Sequence, residues 1–190
     1  MHNSLLGSRD FVMRIRPLII ESSDRTDETV NLAILSGDRA LFVSQIESGN
    51  MMRMVAPLRG LPPLHEWCAE EALLSALNAE GCNHLIDRLT YDMFADKTHQ
   101  SKSPPTEEIE WIIEQGRSYD REEQFEETQC VAAAILCDIG ALMCVFSIRG
   151  PSVRISEERL LGHGDTAPRT ANRVIQRLRC VSPSHWAKYD

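Results

Sequence analysis

Two apolar runs joined by a short polar turn dominate the middle of the chain. Residues 129–137 and 141–149 are both rich in β-branched and small apolar side chains, and the segment Asp138-Ile139-Gly140 separates them. A turn of this kind between two β-prone runs is typical of a hairpin, because glycine supplies the positive φ that the turn requires. The pattern therefore predicts two antiparallel strands here.

Alternation along the second run assigns its side chains to two faces. Cys144, Phe146 and Ile148 share one face, which is wholly apolar, because side chains of a strand alternate in direction. Ser147 and Arg149 lie on the other face, which becomes polar toward the end of the strand. This second face is either solvated or the floor of a polar pocket, and the spacing does not decide between the two.

Upstream, the same pattern predicts a second hairpin. The β-prone runs at 29–35 and 40–46 are connected by the turn Ser36-Gly37-Asp38. A third strand is expected over 51–56, after another turn at Ser48-Gly49-Asn50.

Helical spacing of apolar residues predicts the remaining elements, at 8–22, 65–78, 79–89, 106–115 and 156–179. We expect Pro17 to end or kink the first helix, since proline lacks an N–H donor. Ser156 is a candidate N-cap of the last helix, and Gly116 a candidate C-cap of the helix before the central strands. Two glycines and Pro168 should bend or interrupt the last helix. Because hairpins dominate, we expect an α+β fold with helices packed on an antiparallel sheet.

Length, net charge and the lengths of the apolar runs limit the classes of function that are compatible with the sequence. A chain of 190 residues is expected to form one domain, and its net charge of −8 argues against direct binding to phosphate backbones. No apolar run has the length of a membrane span, and the amino-terminal residues do not resemble a signal peptide. We therefore expect a cytoplasmic protein whose six cysteines are reduced thiols.

Motifs for nucleotide, hydrolase or zinc-protease chemistry are missing from the sequence. A zinc site made of His65, Cys68, Cys82 and His84 is disfavoured, because Cys82 and His84 would diverge on a helix. Cys130 follows a cluster of carboxylates, which raise a thiol pKa, so it is expected to be a poor nucleophile. By pattern alone, Asp120 is a solvated loop residue or a pocket acid. We expect no metal and no cofactor.

Four segments of the sequence resemble, in order, the effector-binding domain of IclR-type transcription regulators. They are LAILSGDRALFVSQIES, APLRGLPPLHEWCAEEALLSAL, EEIEWIIEQGRSYDREE and QCVAAAILCDIGALMCVFSIRGP. The resemblance extends from about Arg16 to about Leu178. It implies a GAF-like, curved antiparallel sheet of about six strands, with a linker helix at 1–25, the effector-binding domain at 26–182 and a tail at 183–190.

The resemblance also implies a pocket for a small metabolite. Its residues are the backbone at Cys68 and Ala69, the acid Asp120, the wall residue Cys130, and the last-strand positions Ser147 and Arg149. At position 149 the family usually has a second serine, so this chain replaces a hydroxyl with a guanidinium. Trp67 and Glu70-Glu71 also replace smaller or basic family residues, which argues against the family's usual small oxoacid as ligand.

Two functions from different classes follow. The first is a ligand-sensing and oligomerisation domain, forming a homodimer or homotetramer, whose effector controls a winged helix-turn-helix DNA-binding domain. We expect that DNA-binding domain to be absent from this chain, because strands begin by residue 29. The alternative is a small cytosolic enzyme that uses Cys130 as nucleophile or Asp120 as base in the same pocket. A scaffold that only dimerises is a third, weaker option.

Overall fold

A computed structural model describes residues 2–36, 39–55, 69–76, 106–122, 126–136 and 142–179. The helices are α1 (His2–Thr26), α2 (Ala69–Ala76), α3 (Thr106–Gln115) and α4 (Glu157–Arg179). The strands are β1 (Thr29–Ser36), β2 (Arg39–Ile46), β3 (Ser118–Arg121), β4 (Thr128–Leu136) and β5 (Leu142–Pro151). Over these ranges no helix is long and apolar enough to cross a membrane.

The strands form one antiparallel sheet in the order β2-β1-β5-β4-β3. The α+β class is confirmed, as are the antiparallel pairs β1–β2 and β4–β5 that the two predicted hairpins required. The turn at 138–140 lies outside the described residues. Five strands are present in the described ranges, against the six or so expected.

The expected third strand at 51–56 is wrong over its described residues, 51–55, which are irregular. Met51 is completely exposed there, so its β-prone neighbourhood has no apolar surface to pack against. The sequence pattern instead missed β3, a strand of four mostly polar residues that pairs with β4 at the sheet edge.

One face of the sheet packs against α1 and α4 and forms the main hydrophobic core. The predicted inward residues Cys144, Phe146 and Ile148 are all completely buried there. Phe11, Ile15, Leu18, Ile19, Leu160, Ala167, Ala171 and Val174 are the helical residues of this core. The helical spacing that predicted α1 therefore reflects a real apolar stripe.

Both long helices are continuous where the sequence predicted a break or a bend. Helix α1 runs through Pro17, and α4 runs through Gly162 and Pro168. The helix does not end at Pro17, one of the two expected outcomes: Ile15, Leu18 and Ile19 on either side of it are buried in the core, and this packing outweighs the loss of one backbone hydrogen bond.

The predicted helix caps are confirmed. The Ser156 hydroxyl accepts a hydrogen bond from the Arg159 backbone N–H at 3.4 Å, so it caps α4. Gly116 has a φ of 68° and donates its N–H to the Ile112 carbonyl, as a glycine ending α3 should.

The other face of the sheet is covered by α2, which packs against β3, β4, β5 and α3. Ala72 and Leu73 of α2 and Val145 of β5 are buried outside the main core. A second, smaller buried layer therefore lies between this face and α2. The predicted helix 79–89 lies outside the described residues.

Candidate functional site

The strand register gathers the polar side chains of the second face into two adjacent rows. In the first row Asp120 pairs with Cys130, and Cys130 pairs with Arg149 on its other side. In the second row Ser147 pairs with Asn31 of β1 and with Ala132 of β4. We give the name polar layer to six buried polar side chains of these rows; they are Asn31, Ser118, Asp120, Cys130, Ser147 and Arg149.

Every member of the polar layer is shielded from solvent. Ser147 is 3% exposed, Arg149 is 4% exposed and Asp120 is 2% exposed. The face that Ser147 and Arg149 share is therefore not solvated, and its role as a pocket floor stays a prediction. Asp120 is likewise not a solvated loop residue, because it lies within β3. The sequence pattern could not show this, since both the strand and its cover depend on distant segments.

A buried ion pair occupies the first row. The Arg149 Nη2 atom lies 3.8 Å from the Asp120 Oδ2 atom, and both side chains are almost completely buried. Burial lowers the pKa of Arg149 to about 10, against the opposing effect of the Asp120 carboxylate. Arg149 is consequently still a cation at neutral pH. A charge pair this deep is costly to desolvate, which favours a role beyond fold stability.

Cys130 lies between these two residues in the register, at the centre of the first row, and is completely buried. It is disulfide-bonded. The expectation of six reduced thiols is therefore wrong for Cys130, because sequence criteria for the redox compartment do not show which thiols meet in the fold. Cys144 is a free buried thiol on the opposite face, and burial raises its pKa.

Ala69 is the first residue of α2, the helix that covers the polar layer. A helix amino terminus offers backbone N–H donors and a positive dipole end to an anion. Cys68, the other predicted backbone contact, lies outside the described residues. So do Trp67 and the candidate zinc ligands His65, Cys82 and His84.

The sequence interpretation missed two buried residues of the polar layer. Asn31 is 1% exposed and Ser118 is completely buried, and both lie in the row of Ser147. The Asn31 Oδ1 atom is buried with no hydrogen-bond partner in the described part of the chain. An asparagine isolated within the apolar run TVNLAIL was the available signal, because strand interiors disfavour asparagine.

A separate cavity of about 310 Å³ lies at the edge of the sheet, lined by Glu71, Trp111, Ile112, Tyr119 and Arg121. The Arg121 guanidinium stacks 4.8 Å from the Tyr119 ring, and Trp111 lies against the same ring. The cavity does not include any of the predicted pocket residues, although Tyr119 and Arg121 flank Asp120 in β3.

Comparison with known proteins agrees with this arrangement. Residues 3–175 match the family described as "Bacterial transcriptional regulator IclR C-terminal". The HTH-type transcriptional repressor AllR of Escherichia coli K12 is 32% identical over 173 residues, which is 91% of this chain and 64% of AllR. AllR of Salmonella typhimurium is 30% identical over 95% of this chain and 66% of the relative. The chain thus spans about two thirds or less of the length of these relatives.

Solved structures share the fold at low sequence identity. The Thermotoga maritima IclR structure aligns with a TM-score of 0.81 and 20% identity, covering 93% of this chain and 72% of that one. The C-terminal domain of Escherichia coli KdgR aligns with a TM-score of 0.77 and 23% identity, covering 89% and 98%. An IclR homolog from Microbacterium hydrocarbonoxydans, solved with 4-hydroxybenzoate, aligns with a TM-score of 0.78 and 15% identity, covering 91% and 70%. The match over residues 3–175 and the identity to AllR show that this chain belongs to the family of C-terminal domains of IclR-type bacterial transcriptional regulators.

Proposed function

We propose that this chain is a ligand-sensing domain whose small-molecule effector binds at the polar layer. The ligand-binding residues are Cys68, Ala69, Asp120, Cys130, Ser147 and Arg149. The effector would bind one arrangement of the domain more tightly than another and thereby bias an attached DNA-binding domain outside this chain. One relative of this fold was solved with 4-hydroxybenzoate, a small acid, which is consistent with such a role.

The buried Asp120–Arg149 pair is the observation that carries the proposal. Replacing a buried ion pair with apolar residues is often neutral or stabilising, so the fold itself gains little from keeping this one. Charged side chains brought together under a covering helix, beside Ser147, form instead a set of directional groups that a polar ligand can use. Recognition sites are typically built in this way, from few polar groups in an apolar surround.

Arg149 favours an anionic effector. Its guanidinium stays charged and offers a planar pair of N–H donors that matches a carboxylate. The amino terminus of α2 adds a second attraction for an anion. The Asp120 carboxylate opposes it, because the ligand must share or displace Asp120 from Arg149. We therefore propose a small carboxylic acid that also offers a polar group to Asp120.

The enzyme alternative has less support. The relatives are named as transcriptional regulators, and Cys130 in a disulfide has no thiolate to act as nucleophile. The Asp120 Oδ2 atom lies 3.8 Å from the Arg149 Nη2 atom, so this carboxylate takes part in an ion pair and is not reserved for taking a proton from a substrate. We therefore propose that the chain is not an enzyme.

A thermal-shift screen of small carboxylic acids against matched neutral amides tests the proposal. A ligand that binds the folded state must raise the unfolding midpoint by mass action. We expect midpoint increases with one or more acids, weaker ones with their amides, and no increase in an Asp120→Leu, Arg149→Leu double variant, which removes both charges together. Equal responses of the native chain and the double variant would contradict binding at the polar layer.

We further propose the molecular setting. The domain would extend over 26–182, with 1–25 as a linker helix and 183–190 as a tail, and it would act as a homodimer or homotetramer in the cytoplasm. Contact with DNA would be made through a domain outside this chain, because the net charge of −8 disfavours direct binding to phosphates.

A further inference from the structure

The second row of the polar layer contains Asn31, a buried residue that is neither part of the hydrophobic core nor among the proposed ligand-binding residues. Asn31 lies in β1 directly opposite Ser147 of β5, so their Cβ atoms lie about 4.5–5.5 Å apart. Arg149 is the next residue on the same face of β5, diagonal to Asn31. The Asn31 amide is therefore at the proposed effector site, on the side away from Asp120.

The chemistry of Asn31 is unusual for a strand interior. The residue is 1% exposed, and its Oδ1 atom has no hydrogen-bond partner in the described ranges. A buried amide oxygen without a partner destabilises the folded chain, because it has lost its hydrogen bonds to water. Its nearest cross-strand neighbours, Ser147 and Gln45, are both polar, so the amide does not belong to the apolar core on the other face.

An unpartnered acceptor in a ligand site selects for a donor. We infer that Asn31 is a specificity-determining residue, whose Oδ1 atom accepts a hydrogen bond from a hydroxyl or amide N–H group on the effector. This inference rests on the proposed function, and it narrows the effector class: a small carboxylate, held by Arg149, that carries a hydroxyl or N–H group toward β1. An acid without that group leaves the buried Asn31 oxygen unpaired and binds more weakly.

Ser44 of β2 provides a matched control on the opposite face. It is 4% exposed and its Oγ atom also has no hydrogen-bond partner within the described segments. Its register partner is Leu32, which belongs to the main hydrophobic core. Removing the Ser44 hydroxyl therefore deletes an equally buried polar atom that is remote from the polar layer.

The test compares acids that differ only in the donor. The probes are glycolate with methoxyacetate, lactate with 2-methoxypropionate, and N-acetylglycine with N-acetylsarcosine, titrated calorimetrically into the native chain, Asn31→Leu and Ser44→Ala. We expect the native chain and Ser44→Ala to prefer the donor-bearing member of a pair by about fivefold or more, which is the scale of one hydrogen bond. In Asn31→Leu we expect the two members to bind within about twofold.

The unliganded proteins give an independent readout. Asn31→Leu removes an unpaired buried polar group, so its unfolding midpoint should equal or exceed that of the native chain. A clear fall in that midpoint would show that the amide stabilises the fold, and would overturn the inference. A preference for donor-bearing acids that persists in Asn31→Leu would overturn it as well.

The remaining outcomes distinguish the role of Asn31 from the proposed effector-binding function on which that role depends. Binding of the acids by the native chain without any preference within a pair overturns the role of Asn31 and leaves the proposed anion site standing. Binding of none of the six acids, together with no acid response in the thermal-shift screen, overturns the proposed function and this inference with it.

Discussion

At the scale of single residues, Arg149 gives the proposed effector site its positive charge, at a position where the family resemblance implies a serine hydroxyl. Arg149 is buried, charged at neutral pH and within 3.8 Å of Asp120. A serine at this position would be smaller and neutral, so it could not attract an anion from a distance. The residue that departs from the family is therefore the one that should set the charge of the effector.

We predict that Arg149→Ser weakens binding of an anionic effector by about 1.5–3 kcal/mol, the scale of a hydrogen bond to a charged group. Arg173→Ser is the control, because Arg173 pairs with Glu21 on the surface, where both side chains are about half exposed. Calorimetric titration of an acid found in the thermal-shift screen measures both variants. Unchanged or tighter binding by Arg149→Ser would mean that Arg149 pairs with Asp120 and does not bind the ligand.

A second prediction at the residue scale concerns His163 and the pH dependence of the free energy of unfolding. It is buried in α4, and burial, with a smaller effect of Arg159, lowers its pKa to about 4 from the ordinary 6.5. The unfolded chain therefore takes up a proton near pH 6.5 that the folded chain does not, and the free energy of unfolding should fall as the pH drops from about 6.5 toward 4.

His163→Gln should flatten this dependence, because glutamine does not titrate. Urea unfolding at pH 7.5, 6.5 and 5.5 measures it, and above pH 5 most carboxylates have not yet begun to take up protons. If the native chain and His163→Gln lose stability in parallel over this range, His163 is not buried as a neutral imidazole.

At the scale of elements, an ion pair links Glu28, just after α1, to Arg154, in the turn after β5. The Glu28 carboxylate is completely buried and accepts two hydrogen bonds of 2.7 Å from Arg154. Arg154 also donates to the Met52 carbonyl, and Arg159 donates to the Arg154 and Thr26 carbonyls. This network therefore connects the carboxyl end of α1 to the residues that follow β5, the strand that carries Ser147 and Arg149.

Gly150 makes room for this network. A Cβ at position 150 would lie 2.6 Å from the Glu28 Cδ atom and 2.9 Å from the Ile155 Cδ1 atom. We predict that Gly150→Ala lowers the free energy of unfolding by about 1–3 kcal/mol through overpacking.

Gly162→Ala is the matched control for this prediction. Position 162 is exposed in α4 with open space around it, so alanine should stabilise the helix by up to about 1 kcal/mol. Chemical denaturation of both variants and of the native chain measures the three free energies of unfolding. A Gly150→Ala protein as stable as the native chain would mean that Glu28 can move away at no cost.

At the scale of the whole molecule, the chain is a domain in which both faces of the sheet are covered. One face meets α1 and α4 in an apolar core, and the other meets α2 over the polar layer. The apolar face supplies the stability, which allows the polar face to retain charged groups that contribute little to folding. This arrangement is compatible with the proposed ligand sensing, since a ligand can change the polar layer while the apolar core keeps the domain folded.

We predict that the chain self-associates, because a sensor of this family would pair its DNA-binding domains. Light scattering should give a mass of two or four times the 21.5 kDa of one chain at micromolar concentrations. A mass near 21.5 kDa over a wide concentration range would contradict it. The same measurement with and without an acid effector shows whether the ligand changes the assembly.

The sequence alone determined which side of each strand is apolar and where most elements lie. Alternation placed Cys144, Phe146 and Ile148 on the core face, and turn residues predicted both hairpins, because these signals are local and act within a few residues. The predicted site residues Asp120, Cys130, Ser147 and Arg149 came from resemblance to a family, and the structure brings all four to one buried face.

Only the tertiary structure decided what covers that face. Ser147 and Arg149 would point to water on an open sheet, but both are buried in the fold, where α2 from a distant segment packs on β4 and β5. Asp120 reaches Arg149 because β3, a strand too short to predict, pairs with β4 in a register set by the whole sheet. Local periodicity fixes the direction of a side chain, whereas its surroundings depend on long-range packing, which is why the charge pair and the Asn31 acceptor could be found only in the fold.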